Sequence, residues 1–324
     1  MPHSPQGPRA AARLDDGLFV TLRGLDQWIA LRGDSPANPA LLVISGPGAA
    51  FSPMAPLFAP WEAEFTLVHW DQPNAGATFA RNGWVEPYTL DRLAADGIAV
   101  AQAVRARLGV PVVLFCVSAG TAVGLKMIRA RPDLFAAYVG NGQIVNRTAQ
   151  EAASYARVLA DARASGDAAA VAELETIGPP PWADLAAEVI KSACANAPTA
   201  AERAAFAARP PTPPPADAAY VPHHLPAHDP RAQATAAYAA IRDELAAFDA
   251  HALGQDYAVP MVLLQGAEDR HTTSPEVEAW AAGLIAPSVA YVPIPGAGHL
   301  STFLAEEIAS LLARHVRPLC EPES

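Results

Sequence analysis

The sequence has few cysteines, and those few lie far apart. Its 324 residues contain Cys116, Cys194 and Cys320, with no C-x-x-C pair. Disulfide frameworks usually show an even set of closely spaced cysteines, and structural zinc sites show paired ligands. The sequence therefore predicts a reduced, cytoplasmic protein without disulfides and without a bound metal.

Positive charge and long apolar runs are also scarce. Lys and Arg number 22 against 33 Asp and Glu, which gives a formal net charge of -11. Nucleic acids and anionic membranes are bound mainly through clustered basic residues, so we expect neither as a partner. Residues 1–16 lack the apolar segment of a secretory signal, and no run approaches the about 20 apolar residues of a membrane span.

The chain is nevertheless rich in apolar residues, at 51% against 17% charged, as is typical of a compact globular protein. Continuous apolar runs, typical of strands buried on both faces, alternate with segments of helical periodicity. The strand-like runs are 40–44, 65–70, 112–117, 136–139, 259–265 and 289–294, and the helical segments outside the middle of the chain are 93–108, 121–130, 274–284 and 301–316. Two shorter runs, 18–23 and 27–32, favour an antiparallel hairpin at a sheet edge. This pattern predicts an α/β fold with a mostly parallel central sheet and helices on both faces.

The strand pattern breaks in the middle of the chain, where we find helical segments only. Thr148-x-x-Glu151 and Thr199-x-x-Glu202 fit the capping box, and Asp229-Pro230 fits a helix start. The proline-dense stretch 210–230 is expected to form an extended loop. We therefore expect a leader (1–16), an α/β core (17–144 and 259–324) and an inserted helical cap (145–258).

An apolar run ends abruptly at Ser118, and a helix-forming run follows at once. A strand that turns sharply into a helix exposes the hydroxyl of its turn residue beside the first free helical N–H groups. The pattern is one residue short of G-x-S-x-G, because Cys116 stands where the first glycine should be. A buried serine in an ordinary turn between strand and helix is the alternative interpretation.

Two further loops follow the last two predicted strands and carry an acid and a base. One contains Glu268 and Asp269, and the other ends at His299. The carboxyl ends of parallel strands line one crevice, and the order Ser, Asp, His is that of the α/β-hydrolase arrangement. We therefore predict Ser118 as nucleophile, His299 as base and Asp269 as the carboxylate that orients it, with Glu268 as the alternative to Asp269.

An oxyanion formed at this serine requires two backbone donors. One is expected to be the N–H of Ala119, directly after the serine. The other is expected from the loop Ser45-Gly46-Pro47-Gly48, which follows the strand-like run 40–44 and whose glycines allow close approach of a substrate.

Four segments together resemble the proline iminopeptidase family of α/β-hydrolases. Residues 44–48 (I-S-G-P-G) are similar to its H-G-G-P-G loop, 70–76 (W-D-Q-P-N-A-G) to its W-D-Q-R-G-x-G segment, 115–124 to its G-G-S-W-G-S turn, and 138–143 to the segment that enters its cap. The similarity covers nearly all of residues 18–316 outside the cap. It implies an α/β-hydrolase fold and a serine hydrolase with Ser118, Asp269 and His299 as triad and Gly46 and Ala119 as oxyanion donors. No cofactor is implied.

The departures from the family pattern concern the substrate. Pro73 replaces the arginine of D-Q-R-G, and Ala119 replaces the tryptophan after the serine, which should widen the acyl pocket. Family aminopeptidases recognise the substrate amine with cap glutamates, and none of the cap residues Glu151, Glu173 and Glu175 aligns with them. The candidate pocket residues are Ser45, Pro47, Gly48, Trp70 and Gln72.

The predicted reaction is cleavage of an ester or amide in a small molecule or short peptide through an acyl-enzyme. Aminopeptidase action on N-terminal proline or small residues and carboxylesterase action on small or aromatic esters both remain open. A catalytically silent binding protein with this fold is the alternative from another class. An epoxide hydrolase or dehalogenase would need a carboxylate at position 118. The oligomeric state is not predicted.

Several other polar residues are interpreted as structural. His223, His224 and His228 fall in the proline-rich stretch and favour a solvated loop over a metal site. His271, which follows the Asp269 loop, is expected at the surface, with a position lining the crevice as the alternative. Cys116 is expected to pack in the core rather than to act as a nucleophile.

Overall fold

The computed structural model describes residues 13–208 and 229–321. Their strands form one eight-stranded sheet in the order β1-β2-β4-β3-β5-β6-β7-β8. The strands are β1 (Leu14–Leu22), β2 (Leu25–Gly33), β3 (Ala40–Ile44), β4 (Thr66–Asp71), β5 (Val112–Val117), β6 (Phe135–Asn141), β7 (Met261–Gly266) and β8 (Val289–Ile294). β1 and β2 form the predicted antiparallel hairpin at one edge, β2 also pairs antiparallel with β4, and the remaining neighbours are parallel. The predicted fold class is confirmed.

Helices cover both faces of this sheet. They are α1 (Gly76–Asn82), α2 (Leu90–Leu108), α3 (Gly120–Ala130), α4 (Arg147–Ser165), α5 (Ala168–Ile177), α6 (Leu185–Ala195), α7 (Ala200–Ala207), α8 (Pro230–Ala246), α9 (Ser274–Ala282) and α10 (Ala305–His315). One core cluster joins α2, α3 and α9 to one face, and a second joins α10 and the 3₁₀ segment Ser52–Trp61 to the other. Successive residues of β3, such as Leu41 and Leu42, enter opposite clusters, which explains the continuous apolar runs.

Helices α4–α8 form an insertion between β6 and β7, within the predicted cap range. Several helix starts and ends in this insertion are those that the sequence predicts. Thr199 and Glu202 make a reciprocal capping box at the start of α7, Asp229 caps α8, and α5 ends before Gly178. The capping box predicted at Thr148 is wrong, because the side chain of Asn146 accepts the Ala149 N–H and starts α4 earlier.

Two other boundaries differ from expectation. β1 begins at Leu14, inside the segment predicted as a leader, because residues 14–16 pair with the far end of β2. The segment predicted as one helix over 301–316 is a 3₁₀ turn, Ser301–Phe303, followed by α10.

The three histidines of the proline-rich stretch lie outside the described residues, as does nearly all of that stretch. Among the described helices, none is both long and apolar enough to cross a membrane.

The turn between β5 and α3 leaves no room for a side chain at Gly120. A Cβ atom there would lie 2.4 Å from the carbonyl oxygen of Ile44 and 2.6 Å from that of Ser45. Because both obstacles are backbone atoms, one at the end of β3 and one in the loop after it, we expect Gly120→Ala to lower the free energy of unfolding by about 3 kcal/mol. Urea denaturation measures this difference.

The matched control for this substitution is Gly166→Ala at the end of α4. Gly166 has a φ of 72° and open space around its Cα, so its substitution meets backbone strain without a clash. We expect that strain to cost about 1 kcal/mol. Equal unfolding midpoints for the two variants would contradict the packing argument.

Candidate active site

Ser118 occupies a sharp turn between β5 and α3. Its φ of 53° lies in the left-handed region, which non-glycine residues rarely adopt outside special turns. Its N–H donates to the carbonyl of Asn141 at 2.9 Å, and its own carbonyl accepts from the Thr121 N–H at 2.9 Å and hydroxyl at 2.6 Å. The turn therefore holds a partly exposed hydroxyl at the carboxyl end of a central strand.

Cys116 occupies the first position of the incomplete G-x-S-x-G pattern, and Gly124 of α3 leaves the space that its side chain needs. A Cβ at Gly124 would lie 2.2 Å from the sulfur of Cys116, so the thiol fits only because residue 124 has no side chain. Burial raises the pKa of the Cys116 thiol well above its ordinary value. The packing role predicted for Cys116 is therefore confirmed.

The structure brings Ser118, His299 and Asp269 into one hydrogen-bonded chain. His299 Nε2 lies 2.9 Å from Ser118 Oγ, and His299 Nδ1 lies 2.9 Å from Asp269 Oδ2. The imidazole is largely buried and the carboxylate is fully buried. Glu268, the alternative carboxylate, is exposed. The loops after β5, β7 and β8 thus meet at the carboxyl end of the sheet as the sequence predicts.

The Asp269 carboxylate accepts five hydrogen bonds. Oδ1 accepts from the backbone N–H groups of His271 at 2.7 Å and Thr272 at 2.9 Å. Oδ2 accepts from the Thr272 hydroxyl at 2.7 Å, from Gln265 Nε2 at 3.0 Å and from the His299 ring. Burial alone would raise the pKa of Asp269, but the His299 ring and these donors hold it below its ordinary value. The group is therefore an oriented anion at neutral pH.

A chain of buried glutamines connects this carboxylate to the base of the helical insertion. Gln265 Oε1 accepts the Gln143 N–H at 3.2 Å. Gln150 donates to the Gln143 carbonyl at 3.0 Å and accepts the Val145 N–H at 2.9 Å. The sequence analysis did not predict a role for these residues. Gln265 could have been noticed, because it is a polar residue near the end of the otherwise apolar strand β7.

His271 is buried, with 7% of its surface exposed, so its predicted surface position is wrong. Its ring centroid lies 4.6 Å from that of His299, and its Nε2 lies 3.4 Å from Arg147 Nη1. Burial, and then the nearby Lys191, His299 and Arg147, lowers the pKa of His271 well below its ordinary value. A neutral imidazole therefore separates α4 from the His299 ring.

The two predicted oxyanion donors lie side by side. A Cβ at Gly46 would be 3.7 Å from that of Ala119. Gln72 supports this loop by donating to the Ser45 carbonyl at 2.9 Å, while the Ser45 hydroxyl donates to the Ala49 carbonyl at 2.6 Å. The loop is therefore preorganised beside the serine turn, which is the requirement for electrostatic stabilisation of an oxyanion.

The candidate pocket residues have different surroundings. Pro47 and Gly48 are buried, and a Cβ at Gly48 would lie 2.5 Å from Ala237 of α8, so this helix lies on the oxyanion loop. Trp70, by contrast, packs in the core and donates to Gln27 Oε1 at 2.8 Å. Its indole reaches the α2 layer, where a Cβ at Gly97 would lie 3.2 Å from it, so the side chain packs on the core side of the sheet.

Of the three glutamates that the sequence analysis compared with the family's amine-recognising residues, Glu151 is largely buried near the site. The Glu151 side chain, 12% exposed, makes ion pairs with both Arg147 and Lys191, and Lys191 is fully buried. Burial lowers the pKa of Lys191, and the Glu151 carboxylate partly offsets this effect. Glu173 and Glu175 are exposed. In the described part of the chain, no group of three or more His, Cys, Asp or Glu residues is placed to hold a metal ion.

The sequence matches the model of the alpha/beta hydrolase family over residues 41–311, and the chain belongs to this family. A probable aminopeptidase of Bacillus subtilis (strain 168) is 27% identical over 169 residues, which are 50% of this chain and 52% of the relative. The chain thus spans about half the length of that curated relative.

Solved structures agree on the fold. A proline iminopeptidase-related protein from Thermus thermophilus is 18% identical with a TM-score of 0.62, and the match covers 94% of this chain and 99% of that one. A thermophilic esterase from Thermogutta terrifontis is 18% identical with a TM-score of 0.56, covering 96% and 100%. The predicted resemblance to proline iminopeptidase-like α/β-hydrolases is confirmed, and family membership supports a hydrolase.

Proposed function

We propose that the protein is a serine hydrolase that cleaves an ester or amide bond through an acyl-enzyme. The observation that carries the proposal is the chain of hydrogen bonds from Ser118 Oγ through His299 to Asp269. A serine hydroxyl is a weak nucleophile until a base takes its proton, and an imidazole oriented by a carboxylate provides that base.

In the proposed reaction, Ser118 Oγ attacks the carbonyl carbon while His299 Nε2 takes the hydroxyl proton. Asp269 accepts from Nδ1–H and stabilises the imidazolium. The N–H groups of Gly46 and Ala119 donate to the oxyanion. His299 then returns its proton to the departing alcohol or amine, and a water molecule, deprotonated by the same imidazole, hydrolyses the acyl-serine.

Two substrate classes follow from this chemistry. Aminopeptidase action on N-terminal proline or small residues is supported by the family resemblance and by the Bacillus relative. Carboxylesterase action is supported by the small side chain at Ala119 and by the Thermogutta esterase fold. The triad geometry argues against a silent binding protein. A cytoplasmic location belongs to the same proposal.

The test combines an active-site label with two substrates. A fluorophosphonate should modify one site per chain, and peptide mapping should place the adduct on Ser118. Parallel assays with prolyl-arylamide and short p-nitrophenyl esters then separate the two classes. A folded protein that takes no label and hydrolyses neither substrate would contradict the proposal and favour a binding protein.

A further inference from the structure

Glu202 lies in the first turn of α7, and its side chain is buried, with 1% of the residue exposed. A capping box needs one carboxylate oxygen, which accepts the N–H of the cap residue. Oε2 makes that bond, with the Thr199 N–H at 2.8 Å. Glutamate is almost never fully buried unless it is paired. Capping therefore explains neither the burial of Glu202 nor the position of its second oxygen.

The second oxygen of Glu202 binds the loop that carries the base. Oε1 accepts the backbone N–H of Gly298 at 2.9 Å, although the two residues are 96 positions apart in the chain. Gly298 directly precedes His299 and is itself buried. Without the carboxylate, a buried N–H beside the base would lose its hydrogen-bond partner, which is costly.

Gly298 is also in close contact with the end of β7. A Cβ at Gly266 would lie 2.2 Å from the Gly298 carbonyl oxygen and 2.7 Å from that of Ala297. A Cβ at Gly298 itself would lie 3.1 Å from Glu202 Oε2 and 3.1 Å from Thr199 Cγ2. The residue before the base thus contacts both the sheet and the start of α7.

The same stretch of the insertion contacts the loop that carries the acid. Arg270 of that loop donates through Nη2 to the Ala197 carbonyl at 2.7 Å. Residues 197–202 therefore contact both loops. The Arg270 bond is exposed, whereas the bond from Gly298 to Glu202 is buried and has a charged acceptor. Buried and charge-assisted hydrogen bonds are the stronger ones, so we expect the Glu202 contact to dominate.

We propose that Glu202 is a positioning residue for His299. By accepting the Gly298 N–H, it fixes the backbone from which the imidazole projects towards Ser118. The inference rests on the proposed function, in which His299 Nε2 takes the hydroxyl proton across a 2.9 Å contact. Displacing such a group by about 1 Å can cost on the order of 10²-fold in rate. Glu202 acts through the backbone and transfers no proton itself.

The first test removes the acceptor. Glu202→Ala deletes the carboxylate, and Glu202→Met deletes it while keeping most of the side-chain volume. We expect each variant to lower kcat on the order of 10²-fold and to keep KM within about twofold, because the loss lies in proton transfer and not in substrate binding. The assays use p-nitrophenyl acetate and prolyl-arylamide. A rise in KM confined to prolyl-arylamide would make Glu202 a ligand of the substrate amine and overturn the inference.

The matched control for the Glu202 variants is Thr199→Val. It removes the hydroxyl that accepts the Glu202 N–H at 3.1 Å, keeps the branched shape and leaves the bond to Gly298 in place. We expect a lower urea midpoint, as for any lost helix cap, and a kcat within about twofold of the wild type. Equal losses of kcat in Thr199→Val and Glu202→Ala would contradict the positioning role. So would Glu202 variants that fail to fold where Thr199→Val folds.

A double-mutant cycle with His299→Ala tests whether the effect passes through the base. The readout is the rate of fluorophosphonate labelling at Ser118, followed by mass spectrometry so that slow rates are measurable. Glu202→Ala should lower this rate on the order of 10²-fold in the wild-type background, but less than about twofold in the His299→Ala background. Equal effects in both backgrounds would show that Glu202 acts independently of His299.

The outcomes separate this inference from the proposed function. If the wild type takes the label on Ser118 and the folded Glu202 variants keep wild-type kcat, the positioning role is wrong and the serine hydrolase stands. If the folded wild type takes no label and hydrolyses neither substrate, the proposed function itself is wrong, and the positioning role is wrong with it.

Discussion

Replacing Ser118 by alanine is expected to lower kcat on the order of 10⁶-fold for every substrate that the wild type hydrolyses. The hydroxyl is the group that His299 Nε2 contacts at 2.9 Å, and the variant has no other atom to form the acyl-enzyme. Alanine keeps the Cβ, so the left-handed turn meets no new clash. Steady-state kinetics and fluorophosphonate labelling measure the loss, with circular dichroism as the check on folding.

The matched control for this prediction is Cys116→Ala, two residues earlier, within β5. Cys116 is fully buried, and its sulfur fills the space above Gly124, away from the triad. We expect this variant to keep kcat within about threefold and to take the label as the wild type does. Turnover that survives Ser118→Ala but disappears with Cys116→Ala would assign the nucleophile to the cysteine.

Replacing Asp269 by asparagine is expected to lower kcat about 10⁴-fold, because the amide no longer fixes the tautomer in which Nδ1 carries the proton. Five groups donate hydrogen bonds to this carboxylate. In the asparagine variant, the side-chain NH₂ group would face some of these donors and could not accept from them. The effect should appear mainly in kcat, since the substrate does not contact Asp269 directly.

The same substitution should change how stability depends on pH. The pKa of Asp269 is lowered in the folded protein, so its ionised form stabilises the fold above the unfolded-state pKa, and this contribution is lost as the pH falls through the folded value. Asp269→Asn should therefore be less stable than the wild type at pH 7, with a smaller difference in acid. Urea midpoints at both pH values test this sign.

Glu268→Gln provides the control for Asp269→Asn, because it removes the neighbouring carboxylate from the same loop. Glu268 is exposed and Asp269 is buried against His299, so we expect the Glu268 variant to keep wild-type kinetics. A large loss of kcat in Glu268→Gln together with an active Asp269→Asn would reverse the assignment of the acid.

The elements of the core could be predicted because their signals are local. The apolar run 112–117 is a strand, and the strand predicted at 289–294 has the observed bounds. Ser118, Asp269 and His299 each follow a strand end, and parallel strands bring such ends to one edge. Three positions far apart in the chain could therefore be placed together without coordinates.

The surroundings of the triad could not be predicted in the same way. His271 is a polar residue in a loop, which favours exposure, but α4 and α6 bring Arg147 and Lys191 beside it and exclude water. Glu151 fitted a helix-cap pattern and instead pairs with two cations, one of them from another helix. These contacts join segments that are far apart in the sequence, and the sequence does not show that such segments are close in space.

The sequence by itself thus determined the sheet, the strand-end turns and the three residues that meet there, because periodicity, turn chemistry and the geometry of parallel strands are properties of short segments. Only the tertiary structure decided what surrounds them: the neutral His271, the glutamine chain behind Asp269 and the ion pairs of Glu151 with Arg147 and Lys191. Burial and ion pairing depend on which helices cover a residue. That covering is set by packing between distant segments.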